Sequence, residues 1–326
     1  MQKIRVEQDL NRLLRDMRGA AVVLSWAETG LFEILATSPR SLEQLPGDPR
    51  SLEVTSAILV SMNLLERQGN VIALTEDASA LWASGALRGA SATASLGDLS
   101  RLPGVLREGG PVQDEAGAGR GTKIGVREDD PAGVRAFMEM LDRRSRGSAR
   151  FTAGAIDDRI RSNGIILDLG GGHGRYAQEL VERGHSAVLF DLAPCVEIAR
   201  EKHGESLAYR VGDFFVDDLG GPYDAILLSN IVHGLGEDAN ERLLRRVAET
   251  LAPGGVVVLK DMFLDSVGGG PDNAVVFGLT MLMHTDEGRS YGVREMAAIG
   301  ERIGLEISGI EFSSADQFSL LFLSKD

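Results

Sequence analysis

The stretch Ile165-Ile-Leu-Asp-Leu-Gly-Gly-Gly-His-Gly-Arg175 constrains this chain more than any other. A short apolar run interrupted by one acid reads as a buried parallel strand, and glycines after it let the backbone turn sharply and approach a ligand closely. The residues beyond Arg175 alternate in the same way. A helix is expected over Tyr176 to Arg183, a strand over Ala187 to Asp191, a strand over Asp224 to Ser229, a helix over Asp238 to Leu251 and, past Pro253-Gly254-Gly255, a strand over Val256 to Lys260. Such alternation argues for an α/β domain with a parallel sheet covered on both faces. Leu305 to Phe312 and Phe318 to Leu323 read as an antiparallel hairpin that closes the sheet.

The glycine spacing narrows the class. A dinucleotide fingerprint, Gly-x-Gly-x-x-Gly, would start at Gly170 and Gly172 but meets Arg175 at its sixth position, and no Gly-Lys-Ser/Thr ending makes a P-loop. The pattern present is Asp-x-Gly-x-Gly-x-Gly on Asp168, Gly170, Gly172 and Gly174. Asp191 comes after Asp168 by 191 − 168 = 23 residues, at the C-terminal end of the second strand. That spacing suits an acid accepting the hydroxyls of a bound nucleoside.

Upstream, Leu10, Leu13, Leu14, Met17, Ala21 and Leu24 recur at helical spacing. A short capped helix from Ser41, a helix from Ser51 to Glu66 and a strand over Asn70 to Thr75 complete a winged-helix pattern. Two roles suit that pattern: reading DNA, or packing and dimerisation. The segment from Leu52 is acidic at both ends, and the chain carries a formal net charge of −14 with a pI near 4.9, so phosphate backbones and anionic lipid would be repelled. Residues 85 to 133 are rich in Gly, Ser and Ala, and Glu108 to Asp130 reads as a mobile loop. A helix after Pro131 carries Phe137, Met140, Leu141 and Phe151 on one face, with Arg144 falling on it too. That arginine either pairs with an acid or reads a carboxylate on a substrate. The 326 residues therefore divide into a winged-helix-like domain over 1–100, a linker and capping segment over 101–160, and a ligand-binding domain over 161–326. A single cysteine, Cys195, an absence of Cys/His clusters at metal-ligand spacing and no apolar run long enough for a membrane span point to a metal-free cytoplasmic protein acting on a small molecule.

Taken together, these motifs resemble the small-molecule O-methyltransferases of the plant caffeate and hydroxyindole type, which include bacterial antibiotic-tailoring enzymes. The resemblance runs through Thr75 after the wing, Phe137 and Met138 in the linker helix, the Asp168 glycine turn, Asp191, Gly212-Asp213-Phe214-Phe215 and Pro253-Gly-Gly. It implies a Rossmann-like domain with a seven-stranded mixed sheet, a homodimer, and S-adenosyl-L-methionine (SAM) as cofactor, with S-adenosyl-L-homocysteine (SAH) left after transfer. Carried onto this chain, Asp168, Gly170, Gly172, Gly174, Asp191, Leu192, Asp213, Phe214 and Ser229 would hold the cofactor. His233 would be the general base and Asp261 the acid orienting it, while Phe137, Met140, Arg144, Met281, Met283 and His284 would line the acceptor pocket. A base is needed because an un-ionised hydroxyl is a poor nucleophile toward a sulfonium methyl.

Two departures from the family pattern stand out. The usual His-Asp-Trp is His233-Gly234-Leu235 here, and the second catalytic glutamate, which precedes an Arg-Thr pair, is replaced by Gly288 before Arg289-Ser290, with Glu287 and Asp286 nearby. A site with fewer carboxylates would suit a thiol or thioether acceptor as well as a hydroxyl, since a thiol needs less help from a base and a thioether none. The sequence therefore leaves three alternatives to O-methylation: S-methylation of a small acid, a SAM-binding tailoring enzyme that transfers no methyl, and a ligand-sensing regulator.

Overall fold

The computed structural model describes residues 3–88, 96–109, 111, 130–264, 271–313, 315 and 317–325. The chain separates into two compact units, residues 1–104 and 105–326.

In the first unit, α1 (Glu7–Glu28) and α2 (Leu31–Thr37) are followed by β1 (Arg40–Ser41), a single 3-10 turn (Leu42–Gln44), α3 (Pro49–Ser61), β2 (Leu65–Gln68), β3 (Val71–Leu74) and α4 (Glu76–Ala83). Local chemistry sets the boundaries. Asp48 caps α3 by accepting from the Ser51 N–H at 2.9 Å, and Thr75 caps α4 by accepting from the Ala78 N–H at 3.1 Å. The third helix stops at Ser61, not Glu66 as the sequence suggested. Asn63 takes a left-handed φ of 59°, which an asparagine tolerates, and Leu65-Glu66 enter β2. The expected strand is one of three: β1 joins the β2–β3 hairpin in a three-stranded antiparallel sheet of order β1-β3-β2. Trp26, Phe32, Leu35, Leu52, Leu59, Leu65 and Ile72 form its core. The apolar stripe at the start of α1 does not join that core; Leu10, Leu13, Leu14 and Met17 are 41–59% exposed.

The helix α5 (Leu96–Glu108) lies within the stretch rich in Gly, Ser and Ala, just ahead of the expected loop. Residues 112–129, most of the expected loop, lie outside those described. Then come α6 (Pro131–Asp157), β4 (Ile165–Leu169), α7 (Arg175–Glu182), β5 (Ser186–Asp191), α8 (Ala193–His203), β6 (Ala208–Val211), β7 (Tyr223–Ser229), α9 (Glu237–Glu249), β8 (Leu251–Asp261), α10 (Pro271–His284), α11 (Val293–Glu301), β9 (Glu306–Ser313) and β10 (Phe318–Ser324). These build a seven-stranded mixed sheet of order β6-β5-β4-β7-β8-β10-β9, in which β10 runs antiparallel to both neighbours. Alternate residues face opposite layers. Ile166, Leu227, Val258, Leu320 and Phe322 pack under α6 and α7, and Leu167, Leu169, Ile226, Leu228, Val257 and Leu259 under α9 and α11. The strand order reverses at β4, so the crevice beyond its C-terminal end is where an open α/β sheet binds ligands, and the glycine turn sits there. Among the described residues no single helix is long and apolar enough to cross a membrane.

The buried stripe of α6 differs from the one expected. It runs Val134, Met138, Asp142, Ser145, Ala149, Thr152 and Ile156, while Phe137, Met140, Leu141 and Phe151 are only half-buried and Arg144 is exposed. Small and polar residues make up much of that stripe, so hydrophobic periodicity pointed to the helix but not to its inner face.

Candidate active site

Gly170 and Gly172 leave β4 with φ of 70° and 51°, in the left-handed region that penalises side chains. A Cβ on Gly170 would stand 2.5 Å from Ile231 Cδ1, and one on Gly172 3.1 Å from Met138 Sδ. The turn is a cradle that side chains would fill. Gly174 then caps α7.

Four of the expected cofactor residues lie at the C-terminal ends of successive strands: Asp168 on β4, Asp191 on β5, Asp213 just past β6 and Ser229 on β7. Asp191 ties the turn down, its Oδ2 accepting from the Gly172 N–H at 2.8 Å and its Oδ1 from the Leu192 N–H at 2.7 Å. Burial pushes its carboxyl up against those two hydrogen bonds and one from the Cys195 thiol. Asp168 is fully buried and accepts from the Ala177 N–H at 3.2 Å through Oδ2, while its Oδ1 has no hydrogen-bond partner among the described residues. Burial pushes that carboxyl up to about 7, with the Ala177 N–H opposing and the Asp191 charge adding. A buried orphan acceptor beside an open glycine cradle is what a ligand with an ammonium and a nucleoside would satisfy, so these residues fit SAM. Asp213 accepts from the Phe215 N–H at 2.9 Å, and the Phe214 and Phe215 rings stand 4.9 Å apart next to it.

His233 occupies a 3-10 turn, Val232–Gly234, beyond β7. Its Nδ1 lies 2.9 Å from both carboxylate oxygens of Asp261, the last residue of β8. Burial works against the charge on Asp261, but the His233 ring, the Lys260 charge and the Met262 N–H together hold the carboxyl below its usual range. An ionised acid fixed on Nδ1 makes that nitrogen the proton-bearing one and leaves Nε2 as the basic atom. The Phe277 ring, edge-on at 4.7 Å, packs against the imidazole. Phe277 was not singled out in the sequence, yet it sits four residues before Met281 and seven before His284 on α10, so these three share a helix face. Met281 and Met283 are buried and His284 is half-buried.

Neither Asp286 nor Glu287 takes the place of the missing glutamate. Both are exposed, and Glu287 lies against Gly236, where a Cβ would meet its Oε2 at 2.3 Å.

A polar cluster under the glycine turn was not legible in the sequence. Asp142, 5% exposed, takes a two-pronged hydrogen bond from Arg175, Nε to Oδ1 at 2.8 Å and Nη2 to Oδ2 at 3.1 Å, and pairs closely with Lys202. Despite burial, these two cations hold its carboxyl down to about 2. His173, inside the turn, accepts the Arg175 N–H on Nδ1 at 3.1 Å. Its Nε2 lies 3.2 Å from Ser145 Oγ, which itself donates to Leu141 O at 2.6 Å, so Nε2–H is the donor and the ring is neutral. Burial pushes His173 down to about 4, Asp142 opposing and the charges of Lys202, Arg175 and His203 adding. The unfolded chain therefore binds the extra proton on this ring between about pH 6.5 and 4, and the share of folding stability due to His173 should be lost as pH falls through that window. Asp168, pushed up to about 7, titrates with the opposite sign in the same range, so the reading is a difference between two proteins. In urea melts from pH 7.5 to 4.5, His173→Asn, whose Oδ1 can still accept the Arg175 N–H, should lose less stability on acidification than the wild type; parallel curves would assign the acid lability elsewhere.

A sequence profile described as an O-methyltransferase domain matches residues 105–306. The tetracenomycin polyketide 8-O-methyltransferase TcmO of Streptomyces glaucescens is 30% identical over 308 residues, 88% of each chain. The 3-hydroxy-5-methyl-1-naphthoate 3-O-methyltransferase of Streptomyces sahachiroi is 29% identical over 278 residues, 81% of this chain and 79% of its own. Among solved structures, the mitomycin 7-O-methyltransferase MmcR superposes with a TM-score of 0.79 at 20% identity over 98% of both chains. Human N-acetylserotonin methyltransferase, solved with SAM, superposes with 0.74 at 22% identity over 100% of this chain and 99% of its own. The superpositions speak for the fold; the profile and the near full-length relative speak for descent, and the chain belongs to the O-methyltransferase family, as a SAM-dependent enzyme that methylates a hydroxyl group of a small molecule.

Proposed function

We propose that the acceptor is the phenolic hydroxyl of a small aromatic molecule, deprotonated by His233 while Asp261 holds the ring. The observation that carries this reading is the two-oxygen contact of Asp261 with His233 Nδ1 at 2.9 Å, which directs the basic Nε2 away from the carboxylate. When bound, SAM supplies a methyl group on a positively charged sulfur. Asp168, Gly170, Gly172, Gly174, Asp191, Leu192, Asp213, Phe214 and Ser229 would hold it. His233 takes the hydroxyl proton on Nε2 as the oxygen becomes nucleophilic, and the imidazolium so formed is stabilised by the buried Asp261. Phe277 and Met281 limit water around the pair, and Phe137, Met140, Met283 and His284 would complete an apolar wall that positions a flat acceptor. The polyketide and naphthoate acceptors named for the two Streptomyces relatives favour a fused phenol over a thiol. On an acceptor bearing a carboxylate, the exposed Arg144 would read that group at its outer end.

Hydroxynaphthoates, with and without the carboxylate, incubated with SAM and the purified protein and followed by chromatography, test this directly. O-methyl product and SAH in equal amounts support the reading. Product from small thiols but from no phenol would overturn it. An Arg144→Ala variant with unchanged KM for the acids would remove that residue from recognition.

The first unit serves assembly. The exposed Leu10, Leu13, Leu14 and Met17 form an apolar stripe on α1 that suits a second copy of the chain, while the net charge of −14 disfavours nucleic acid and membranes. Light scattering should give twice the chain mass, and Leu13→Arg with Leu14→Arg should give the mass of one chain. An unchanged mass would place the interface elsewhere. An acidic chain whose one cysteine is buried as a free thiol suits the cytoplasm.

A further inference from the structure

Lys260 is 7% exposed, and among the described residues no carboxylate lies within ion-pair distance of it. A buried ammonium without a counter-ion is costly, and this one has only partial compensation. Its Nζ donates to Asn230 Oδ1 at 3.0 Å and stands 4.6 Å from the Phe318 ring centroid and 6.0 Å from that of Tyr176. The acid next to it in sequence feels this charge but makes no ion pair with it: Lys260 and Asp261 are neighbours on β8, so their side chains leave opposite faces, and Asp261 is hydrogen-bonded to His233 and the Met262 N–H.

Its surroundings show what the charge is for. Lys260 lies in register with Ser229 of β7, and Leu227, two residues earlier on the same face, lies in register with Asp168 of β4. Asp168, Ser229 and Lys260 thus stand on one face of three adjacent strands, toward α7, at the sheet's C-terminal edge. Tyr176, whose ring the ammonium faces, precedes Ala177, whose N–H binds Asp168. Asn230 is exposed and lies just past the end of β7, so the ammonium sits immediately beneath the surface of the crevice. The two other cations close to the glycine turn, Arg175 and Lys202, already share Asp142.

We propose that Lys260 binds the α-carboxylate of the cofactor's methionine portion, opposite Asp168. Each charged end of an α-amino acid then has its complement: the ammonium meets the orphan Oδ1 of Asp168, and the carboxylate meets the ammonium of Lys260, with Ser229 and Asn230 between them. The inference rests on the cofactor lying across the glycine turn.

The test compares two ligands that share the adenosine and the sulfur and differ in the amino acid: SAH, and 5′-methylthioadenosine, which lacks it. Isothermal titration of Lys260→Met should show SAH binding weakened about 10- to 100-fold, the range for losing a charge-assisted hydrogen bond, with 5′-methylthioadenosine held within about twofold. Lys260→Gln, which keeps a donor but loses the charge, should fall between. The melting temperature without ligand should not fall in Lys260→Met, because an apolar chain replaces an unpaired buried charge. Equal weakening of both ligands, or of neither, would overturn the assignment of the carboxylate to Lys260. A wild-type protein that binds neither ligand would instead overturn the placement of the cofactor on the glycine turn, and this inference with it.

Discussion

His233→Ala is expected to lower kcat by about 10²- to 10⁴-fold and to leave the affinity for SAH within about threefold of wild type. The two halves of that expectation have separate structural sources. His233 and Asp261 lie beyond β7 and at the end of β8, whereas the proposed cradle for the cofactor is built at the ends of β4 and β5. Truncating the imidazole removes the proposed proton acceptor but touches none of the hydrogen bonds that fix Gly172, Leu192 or Ala177. Asp261→Asn should cost nearly as much by a different route. Its amide can donate to Nδ1, which then acts as acceptor, so the ring proton moves to Nε2 and the base points the wrong tautomer at the hydroxyl. Steady-state kinetics on any active phenol, paired with titration of SAH, separates these effects. A His233→Ala enzyme with unchanged kcat would remove His233 from the mechanism, and a parallel loss of SAH affinity would mean that the residue supports the cradle.

Much of this was legible in the sequence because strands and glycine turns announce themselves locally. Asp168, Gly170, Gly172 and Asp191 could be placed by a short apolar run ending in glycines and a 23-residue interval, and the sheet delivered them to one edge. His233 and Asp261 needed the family resemblance, since nothing local tells a residue beyond one strand that it will meet the end of another; the contact is made by the parallel pairing of β7 with β8. What the sequence hid is polar and buried. Asp142, Ser145 and Thr152 occupy the inner face of α6, where a hydrophobic-period reading looks for leucine and instead selects Phe137 and Leu141. Lys260 escaped for a related reason. A lysine at the end of an apolar strand reads as the point where the chain returns to solvent, and only the rings of Phe318 and Tyr176 around it show that it does not.

The second large effect concerns Gly288, the position at which the family resemblance implied a second glutamate. Placing an acid there as Gly288→Glu should fail to raise activity, should lower kcat by more than about 10²-fold, and should cost about 3 kcal/mol of stability. The reason is space. A Cβ at this position would stand 2.4 Å from Thr285 Oγ1 and 2.6 Å from the backbone oxygen of His233, closer than any real contact. That oxygen also accepts the Arg289 N–H at 2.8 Å, so a side chain on residue 288 would break the hydrogen bond that ties the His233 turn to this loop. Even Gly288→Ala should displace His233 and slow turnover by about tenfold or more, since roughly 1 Å of misplacement can cost a factor of 100. Glu287→Gln and Asp286→Asn, both on exposed side chains, should stay within about twofold. The backbone thus leaves no room for an acid at 288: the His233 turn occupies the space its side chain would need, and Asp261 is the carboxylate that meets the ring. Gly288→Glu with wild-type stability and undiminished turnover would show that the turn can open again, and that the single-acid arrangement is a choice of residue alone.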